Sequence, residues 1–124
     1  MIVIFDVADA SFQFYNEKEW IETLDVWTQE LAEDGIETDD MYEIVDLIFG
    51  EEAYVEHVPE GYQHVFFSMD MDDFQFYRDY QLKDAINEII WQTGESLEEL
   101  LEEYEDLAAI VQDVTNGDLY YEAI

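Results

Sequence analysis

The chain has 124 residues, of which 34 are Asp or Glu and only three are Lys or Arg, so its formal net charge is -31 at pH 7. Apolar residues make up 49% of the sequence and aromatic residues 16%, which excludes a disordered acidic tail because such tails are poor in core-forming side chains. This composition indicates one folded domain over 1–124, and the absence of cysteine excludes disulfides and thiolate metal sites.

The N-terminal segment MIVIFDVA is apolar but short, follows no basic residue and contains Asp6, unlike a signal peptide. No run approaches the roughly 20 apolar residues of a membrane span, and anionic lipid would repel so acidic a surface. We therefore expect a cytoplasmic protein that does not bind membranes.

The tetrapeptide FQFY at 12–15 precedes the first predicted helix. Asn16 suits the N-cap position, Glu19 completes a capping box with it, and Gly35 ends the helix. The apolar residues at helical spacing are Trp20, Leu24, Trp27 and Leu31.

A second helix and a closing strand are predicted for the rest of the first half. Thr38 is placed to cap an apolar run that ends at Gly50, and 52–58 follows as a strand. Pro59-Glu60-Gly61 is a turn signal, which predicts a hairpin that pairs 52–58 with 63–71.

The second half repeats this order. FQFY recurs at 74–77, and a helix with Leu82, Ile86, Ile89 and Ile90 on its apolar face ends near Gly94. Ser96 and Glu99 form a capping box before a further helix, and 117–124 closes the half as a strand.

The sequence therefore predicts an α+β fold. It is a tandem duplication of a strand-helix-helix-strand unit, with pseudo-repeats 1–61 and 62–124 that share one mainly antiparallel sheet. The alternative is one irregular α+β domain in which the tetrapeptide recurs by coincidence, because identity between the halves is low elsewhere.

The segment ESLEELLEEYEDL at 95–107 carries seven acidic residues and no basic one. In a helix, residues four positions apart are neighbours, and each pair of like charges there costs about 0.2–0.5 kcal/mol. Local helix stability therefore does not explain these acids. They are Glu95, Glu98, Glu99, Glu102, Glu103, Glu105 and Asp106.

The spacing and density of the negative charges are comparable with those of a nucleic acid. Carboxylates one helical turn apart are separated by about 5.4 Å, similar to neighbouring phosphates on a strand. A charge of -31 corresponds to about 50 Å of duplex, whereas a chain of this length has an expected radius of gyration of about 14 Å. In size, charge and acidic helical rows, the chain resembles the DNA-mimic inhibitors of restriction, CRISPR and other DNA-binding machinery that phages and mobile elements encode.

A second likeness concerns TDDMYEIV at 38–45, which resembles an acidic segment of the ArdA anti-restriction family. These resemblances imply a non-catalytic DNA mimic in the host-cell cytoplasm, which blocks the basic nucleic-acid site of a DNA-binding or DNA-cleaving protein and binds no nucleic acid itself. Two similar halves suit partners that read symmetric half-sites, and a homodimer would extend the acidic surface. The candidate binding residues in the first half are Asp39, Asp40, Glu43 and Asp46, and those in the second half are the seven acids of 95–107.

Three other interpretations remain open. In the first, the chain is an immunity or antitoxin protein that blocks the active site of a nuclease. In the second, it is a salt-adapted domain of a halophile with an unrelated function. In the third, it is an acidic chaperone of basic proteins. Loss of structure at low salt would favour the halophile, whereas a mimic stays folded there and binds best there.

Metal sites and catalysis are both weakly indicated. Asp70 and Asp72 lie in DMDD, but the EF-hand spacing fails at Phe74. His57 and His64 flank the predicted turn, and a hairpin would set them opposite each other. We predict no metal and no cofactor, because a solvated strand end followed by a helix or turn cap accounts better for the DMDD residues, and two histidines of uncertain geometry are weak evidence for a metal.

The sequence also predicts no enzyme, since it contains no P-loop, no G-x-S-x-G, no H-E-x-x-H and no cysteine nucleophile. Of the bases, Arg78 and Lys83 are expected to pair with their neighbours Asp79 and Asp84. The three tryptophans, Trp20, Trp27 and Trp91, are expected to pack in the core.

Overall fold

The computed structural model describes all residues from Met1 to Ile124. Its internal contacts divide the chain into two compact units, Met1–Val58 and Pro59–Ile124. Each unit combines helices with a three-stranded antiparallel sheet, which confirms the predicted α+β class. The prediction of one shared sheet was wrong, because each unit has its own sheet. The single domain over 1–124 stays a prediction.

Unit 1 has the order strand-strand-helix-helix-strand, so it begins with one strand more than the predicted unit. The sheet order is β2-β1-β3, and FQFY lies in β2, which returns from β1 through a four-residue turn. The elements are β1 (Ile2–Asp6), β2 (Ser11–Tyr15), α1 (Glu17–Glu33), α2 (Met41–Phe49) and β3 (Ala53–His57).

Unit 2 also begins with two strands, and its sheet order is β5-β4-β6. It contains one helix more than unit 1, because the predicted last helix is divided in two. The elements are β4 (His64–Ser68), β5 (Asp73–Tyr77), α3 (Asp79–Ile90), a 3₁₀ turn (Trp91–Thr93), α4 (Leu97–Glu103), α5 (Leu107–Val114) and β6 (Leu119–Ala123).

The two sheets have equivalent registers. Ile2 on the central strand of unit 1 lies opposite Tyr15 and His57, and His64 on the central strand of unit 2 lies opposite Tyr77 and Ala123. The common strand order and register agree with a repeated plan. Descent from a duplication stays a prediction.

The predicted hairpin between 52–58 and 63–71 does not form. Strand β3 pairs with β1, while β4 is bonded on both edges, to β5 and to β6. Val65, Phe66, Phe67 and Ser68 are consecutive buried residues, as expected for the central strand of a sheet. Both edges of β4 are therefore already occupied, and Pro59-Glu60-Gly61 links the two units without joining their strands.

The repeated tetrapeptide builds the same local structure in both units. Strand alternation places its Gln and Tyr on the helix-covered face and its two Phe on the opposite face. On the first face, the Tyr15 hydroxyl donates to Gln13 Oε1 at 2.9 Å and the Tyr77 hydroxyl donates to Gln75 Oε1 at 3.2 Å. The repetition thus has a structural explanation within each sheet.

Each unit has one apolar cluster between its sheet and its helices. The helical stripes expected from the sequence supply part of each, and burial of such a side chain is worth about 1.5–3 kcal/mol. The buried members are Ile2, Ile4, Trp20, Val45, Ala53 and Val55 in unit 1, and Phe66, Ile86, Ile90, Leu100, Ile110 and Val111 in unit 2.

The helix ends follow the capping rules with two corrections. Asn16 and Glu19 form the predicted box, with Oδ1 accepting from the Glu19 amide at 2.8 Å. Helix α2 is capped by Asp40 and not by Thr38, whose hydroxyl instead donates to Glu43. Ser96 caps α4 as expected, but its predicted box with Glu99 is incomplete, because the Glu99 carboxylate accepts from the Ser96 hydroxyl and not from the Ser96 amide. None of the helices combines the length and apolar character needed to cross a bilayer.

Replacing Asn16 with Ala removes the cap of α1. We expect the free energy of unfolding to fall by about 1 kcal/mol, because the first-turn amide loses its acceptor. Urea unfolding followed by tryptophan fluorescence measures this, since Trp20 and Trp27 both lie in α1. Gln29→Ala, at an exposed site of the same helix, is the control; equal stability of the two variants would contradict the capping role.

Candidate functional site

The acidic side chains lie almost entirely on the surface. Thirty of the 34 Asp and Glu residues are exposed, and none is buried. Each unit contains 17 of them, against Lys18 in unit 1 and Arg78 with Lys83 in unit 2. The negative charge is therefore shared almost equally between the units.

The basic residues neutralise none of these carboxylates. The expected pairs of Arg78 with Asp79 and Lys83 with Asp84 were wrong, because neither base lies within 4.0 Å of a carboxylate oxygen, and the side chain that contacts Asp79 is that of His64. The Arg78 guanidinium instead lies over the ring of Tyr62, 4.6 Å from its centroid. A cation–π contact of this kind leaves the carboxylates without a fixed cationic partner.

The fold uses only a minority of the acids. Eleven accept a hydrogen bond from the chain, and the other 23 accept none. Most of the eleven serve caps and turns, where a carboxylate satisfies amides that would otherwise lack an acceptor. The remaining 23 have no such structural role.

The first-half candidates lie at the start and on the outer face of α2. Asp40 accepts from the Tyr42 amide at 2.9 Å and caps the helix, and Glu43 accepts from the Thr38 hydroxyl at 3.2 Å. The side chains of Asp39 and Asp46 are exposed, and their carboxylates accept no hydrogen bond. The four residues therefore lie on one short element, but only Asp39 and Asp46 are free of a local role.

The predicted acidic helix over 95–107 is interrupted. Helix α4 ends at Glu103, the Tyr104 backbone is extended, and Asp106 starts α5 by accepting from the Ala109 amide at 2.9 Å. Two causes act together: carboxylates are unfavourable in the last turn of a helix, and Asp is a better cap than a helix-interior residue. Glu105 thus lies in the break between the helices.

The surviving acidic row is the one on α4. Glu98 with Glu102, and Glu99 with Glu103, are pairs one turn apart, separated by about 6 Å along the axis. Glu99 also accepts from the Ser96 hydroxyl, whereas the other three are exposed and unbonded. The phosphate-like spacing is therefore kept over two turns.

The break between α4 and α5 is spanned by a hydrogen bond that the Tyr104 hydroxyl donates to the Asp113 carboxylate. This bond raises the pKa of Tyr104, with further contributions from desolvation and from the charges of Asp113, Glu103 and Glu95. The neutral phenol is thereby retained as the donor. Glu95, partly buried beside it, is the least exposed of the predicted acids in this segment.

The residues considered for a metal do not form a site. His57 and His64 belong to strands that do not pair, so the predicted juxtaposition was wrong. Asp70 and Asp72 lie in the turn between β4 and β5, where the Asp70 amide donates to Asp118 Oδ1 at 3.0 Å. No group of three or more His, Asp or Glu side chains is arranged to hold a metal ion.

Sequence reasoning missed a cluster around His64. Its Nδ1 lies 2.7 Å from the Tyr121 hydroxyl and its Nε2 lies 2.6 Å from Asp79 Oδ1. The order Tyr-His-Asp resembles a nucleophile, base and orienting acid. However, desolvation by burial raises the pKa of Tyr121, which opposes its activation, and none of the three residues belongs to the linings of the three best-formed pockets. Their pairing was not readable from the sequence, because it depends on the register of β4 with β6.

A groove along α3 was also missed. It has a volume of about 960 Å³, and two exposed aromatic residues, Tyr80 and Trp91, stand along it with Asp84 and Glu88 between them in sequence. The expected core role was wrong for Trp91, which is 75% exposed, while Trp20 is buried and Trp27 is partly buried. The available signal was the spacing of 80, 84, 88 and 91, which is that of one helix face.

Comparison with known proteins found no match to any family model, any curated protein or any solved structure. A function for this chain therefore has to be inferred from its own residues.

Replacing His64 with Leu removes both hydrogen bonds of the cluster. We expect the free energy of unfolding to fall by about 1–2 kcal/mol, because a half-buried Tyr121 hydroxyl and Asp79 each lose a partner. The matched control is His57→Leu, at an exposed histidine whose ring makes no hydrogen bond, with an expected change within about 0.5 kcal/mol. Urea unfolding by circular dichroism compares the two; equal shifts would mean that the cluster does not stabilise unit 2.

Proposed function

We propose that the chain is a non-catalytic DNA mimic of the cytoplasm, which occupies the basic nucleic-acid site of a DNA-binding or DNA-cleaving protein and blocks access of DNA. The observation that carries the proposal is the exposure of 30 carboxylates without a single Lys or Arg partner. A folded protein with unneutralised surface carboxylates presents an array of negative charges to a basic protein, as the phosphate backbone of DNA does.

The lack of internal pairing is what separates this surface from an ordinary acidic one. Surface helices commonly alternate acids with bases at four-residue spacing, which stabilises the helix by a few tenths of a kcal/mol per pair. Here 23 carboxylates accept no hydrogen bond from the chain and pair with no Lys or Arg. A basic partner would relieve the resulting repulsion, so binding gains free energy from the same charges that oppose folding.

The acids on α2 and α4 have the best geometry for this role. Asp39 and Asp46 in unit 1, and Glu98 and Glu102 in unit 2, are exposed, unbonded and placed on or beside regular helices. Regular helices hold the backbone of Asp46, Glu98 and Glu102, so at these three residues only the side chains have to be ordered when a partner binds. Asp40, Glu43, Glu99 and Asp106 contribute charge as well, but their side chains are engaged in helix starts.

The test is affinity capture from bacterial lysate at about 0.15 M salt, with duplex DNA as the competitor. The immobilised chain should retain a basic DNA-binding or DNA-cleaving protein that duplex releases. An unrelated folded protein of similar net charge is the control. If both retain the same proteins, or if duplex does not compete, the proposal fails.

Charge-neutral variants test which surface binds the captured protein. Glu98→Gln with Glu102→Gln, and separately Asp39→Asn with Asp46→Asn, should each weaken binding by about 5- to 30-fold at about 0.15 M salt, if each of the two contacts is worth about 0.5–1 kcal/mol. Isothermal titration calorimetry measures this. Unchanged affinity in both variants would remove α2 and α4 from the interface.

Salt dependence of folding separates mimicry from salt adaptation. We expect the circular dichroism spectrum to stay native from about 1 M down to about 0.01 M salt, because two apolar clusters and regular caps hold the units. A salt-adapted domain would instead lose helix signal at the low end. Unfolding below about 0.1 M salt would favour that alternative and would contradict DNA mimicry.

A further inference from the structure

The groove on α3 combines two exposed aromatic rings with two exposed carboxylates. Tyr80 and Trp91 are 76% and 75% exposed, and they lie at the two ends of the same helix face, about 16 Å apart along the axis. Asp84 and Glu88 lie between them, one turn apart. All four line the groove, which belongs entirely to unit 2.

The core of unit 2 does not need these two rings. The opposite face of α3 supplies Ile86 and Ile90 to the apolar cluster, and Leu82 and Ile89 pack beside them. Large aromatic side chains in water gain no burial energy, whereas at interfaces Tyr and Trp contribute most of the binding energy of a few central residues. Their exposure therefore indicates contact with a partner.

The two carboxylates have no partner within the chain. Asp84 and Glu88 are exposed, accept no hydrogen bond and form no ion pair, and the nearby Lys83 is not among the residues that line the groove. The groove thus offers aromatic faces together with free anionic oxygens. A cation that is also planar makes use of both.

Guanidinium fits this combination better than ammonium. It stacks flat on an aromatic ring and donates two parallel hydrogen bonds to one carboxylate, while the ammonium of Lys is compact and strongly hydrated. The single Arg of the chain already makes such a contact with an aromatic ring, since the Arg78 guanidinium lies 4.6 Å from the Tyr62 ring centroid.

We propose that this groove receives arginine side chains of the basic partner, which stack on Tyr80 and Trp91 and pair with Asp84 and Glu88. The inference depends on the proposed function in that it takes the partner to be a basic protein. It adds the source of selectivity: the acidic surface attracts any cation, and the groove selects arginine.

The test compares octaarginine with octalysine, two peptides of equal length and charge, by isothermal titration calorimetry at about 0.05 M salt. The unmodified chain should bind octaarginine about tenfold more tightly. Tyr80→Gln with Trp91→Gln should reduce that ratio to about twofold or less and leave octalysine affinity unchanged, because no charge is altered. Ile21→Gln with Met71→Gln, at two other exposed apolar residues, is the control and should keep the tenfold ratio.

A second pair of variants separates groove chemistry from net charge. Asp84→Asn with Glu88→Gln removes two charges, as does Glu98→Gln with Glu102→Gln on α4. Both should weaken octalysine binding by similar factors, but only the first should lower the arginine preference. The inference is overturned if the ratio is equal in the unmodified chain and the Tyr80 and Trp91 variant, or if the two charge variants lower it alike.

These results are independent of the capture experiment. If the groove determines an arginine preference but no DNA-binding protein is retained, the proposal of DNA mimicry is refuted and the proposal of an arginine-binding groove stands. If a DNA-binding protein is captured specifically and released by duplex, but the arginine preference is absent, the proposal of an arginine-binding groove is refuted and the proposal of DNA mimicry stands. Circular dichroism of each variant establishes that its fold is intact before binding is compared.

Discussion

Mutual repulsion among carboxylates is the constraint to which the rest of the structure responds. With a formal charge of -31, the chain gains compactness chiefly from apolar burial and backbone hydrogen bonding. The central strands β1 and β4 provide the centre of that burial: Val3, Ile4, Phe5, Val65 and Phe67 are completely or almost completely removed from water. Each central strand is also hydrogen-bonded on both edges. The charged residues are thereby excluded from the interior and left on the surface.

The same constraint shapes the helices. Where a long acidic helix was expected over 95–107, the chain forms two shorter ones, and Asp106 becomes a cap. Asp40 serves the same purpose in α2. A minority of the carboxylates is thus used to satisfy helix amides, where negative charge is favourable, and the majority remains available for a partner.

Local features were predictable from the sequence, and pairings between distant segments were not. The Asn16 and Glu19 box, the end of α2 at Gly50 and the helical stripes follow from short-range spacing and were confirmed. The hairpin across Pro59 was wrong because the turn signal says nothing about which strand edges are already occupied. The links of His64 to Tyr121 and Asp79 were missed for a related reason, since sheet register brings together residues far apart in sequence.

The exposed residues of the α3 groove were also not predicted from the sequence. Trp91 was assigned to the core by residue type, although the apolar stripe of α3 lies on Ile86 and Ile90 and Trp91 falls at the end of the helix on another face. Exposure of Tyr80 and Trp91 beside unpaired carboxylates suggests how one acidic surface distinguishes among basic proteins. Electrostatic attraction brings many cations to the surface, while stacking and bidentate pairing favour one of them.

The most direct measurement of the central claim is the salt dependence of affinity for the captured protein, compared with that of duplex DNA for the same protein. If the chain occupies a phosphate-binding site, the logarithm of its association constant should fall linearly with the logarithm of salt concentration, with a slope of about -4 or steeper, because several Lys or Arg contacts are replaced by counterions. Duplex should show a comparable slope. A slope between about 0 and -1 would show that the carboxylates are not read as phosphates, and the account of this protein as a DNA mimic would be wrong.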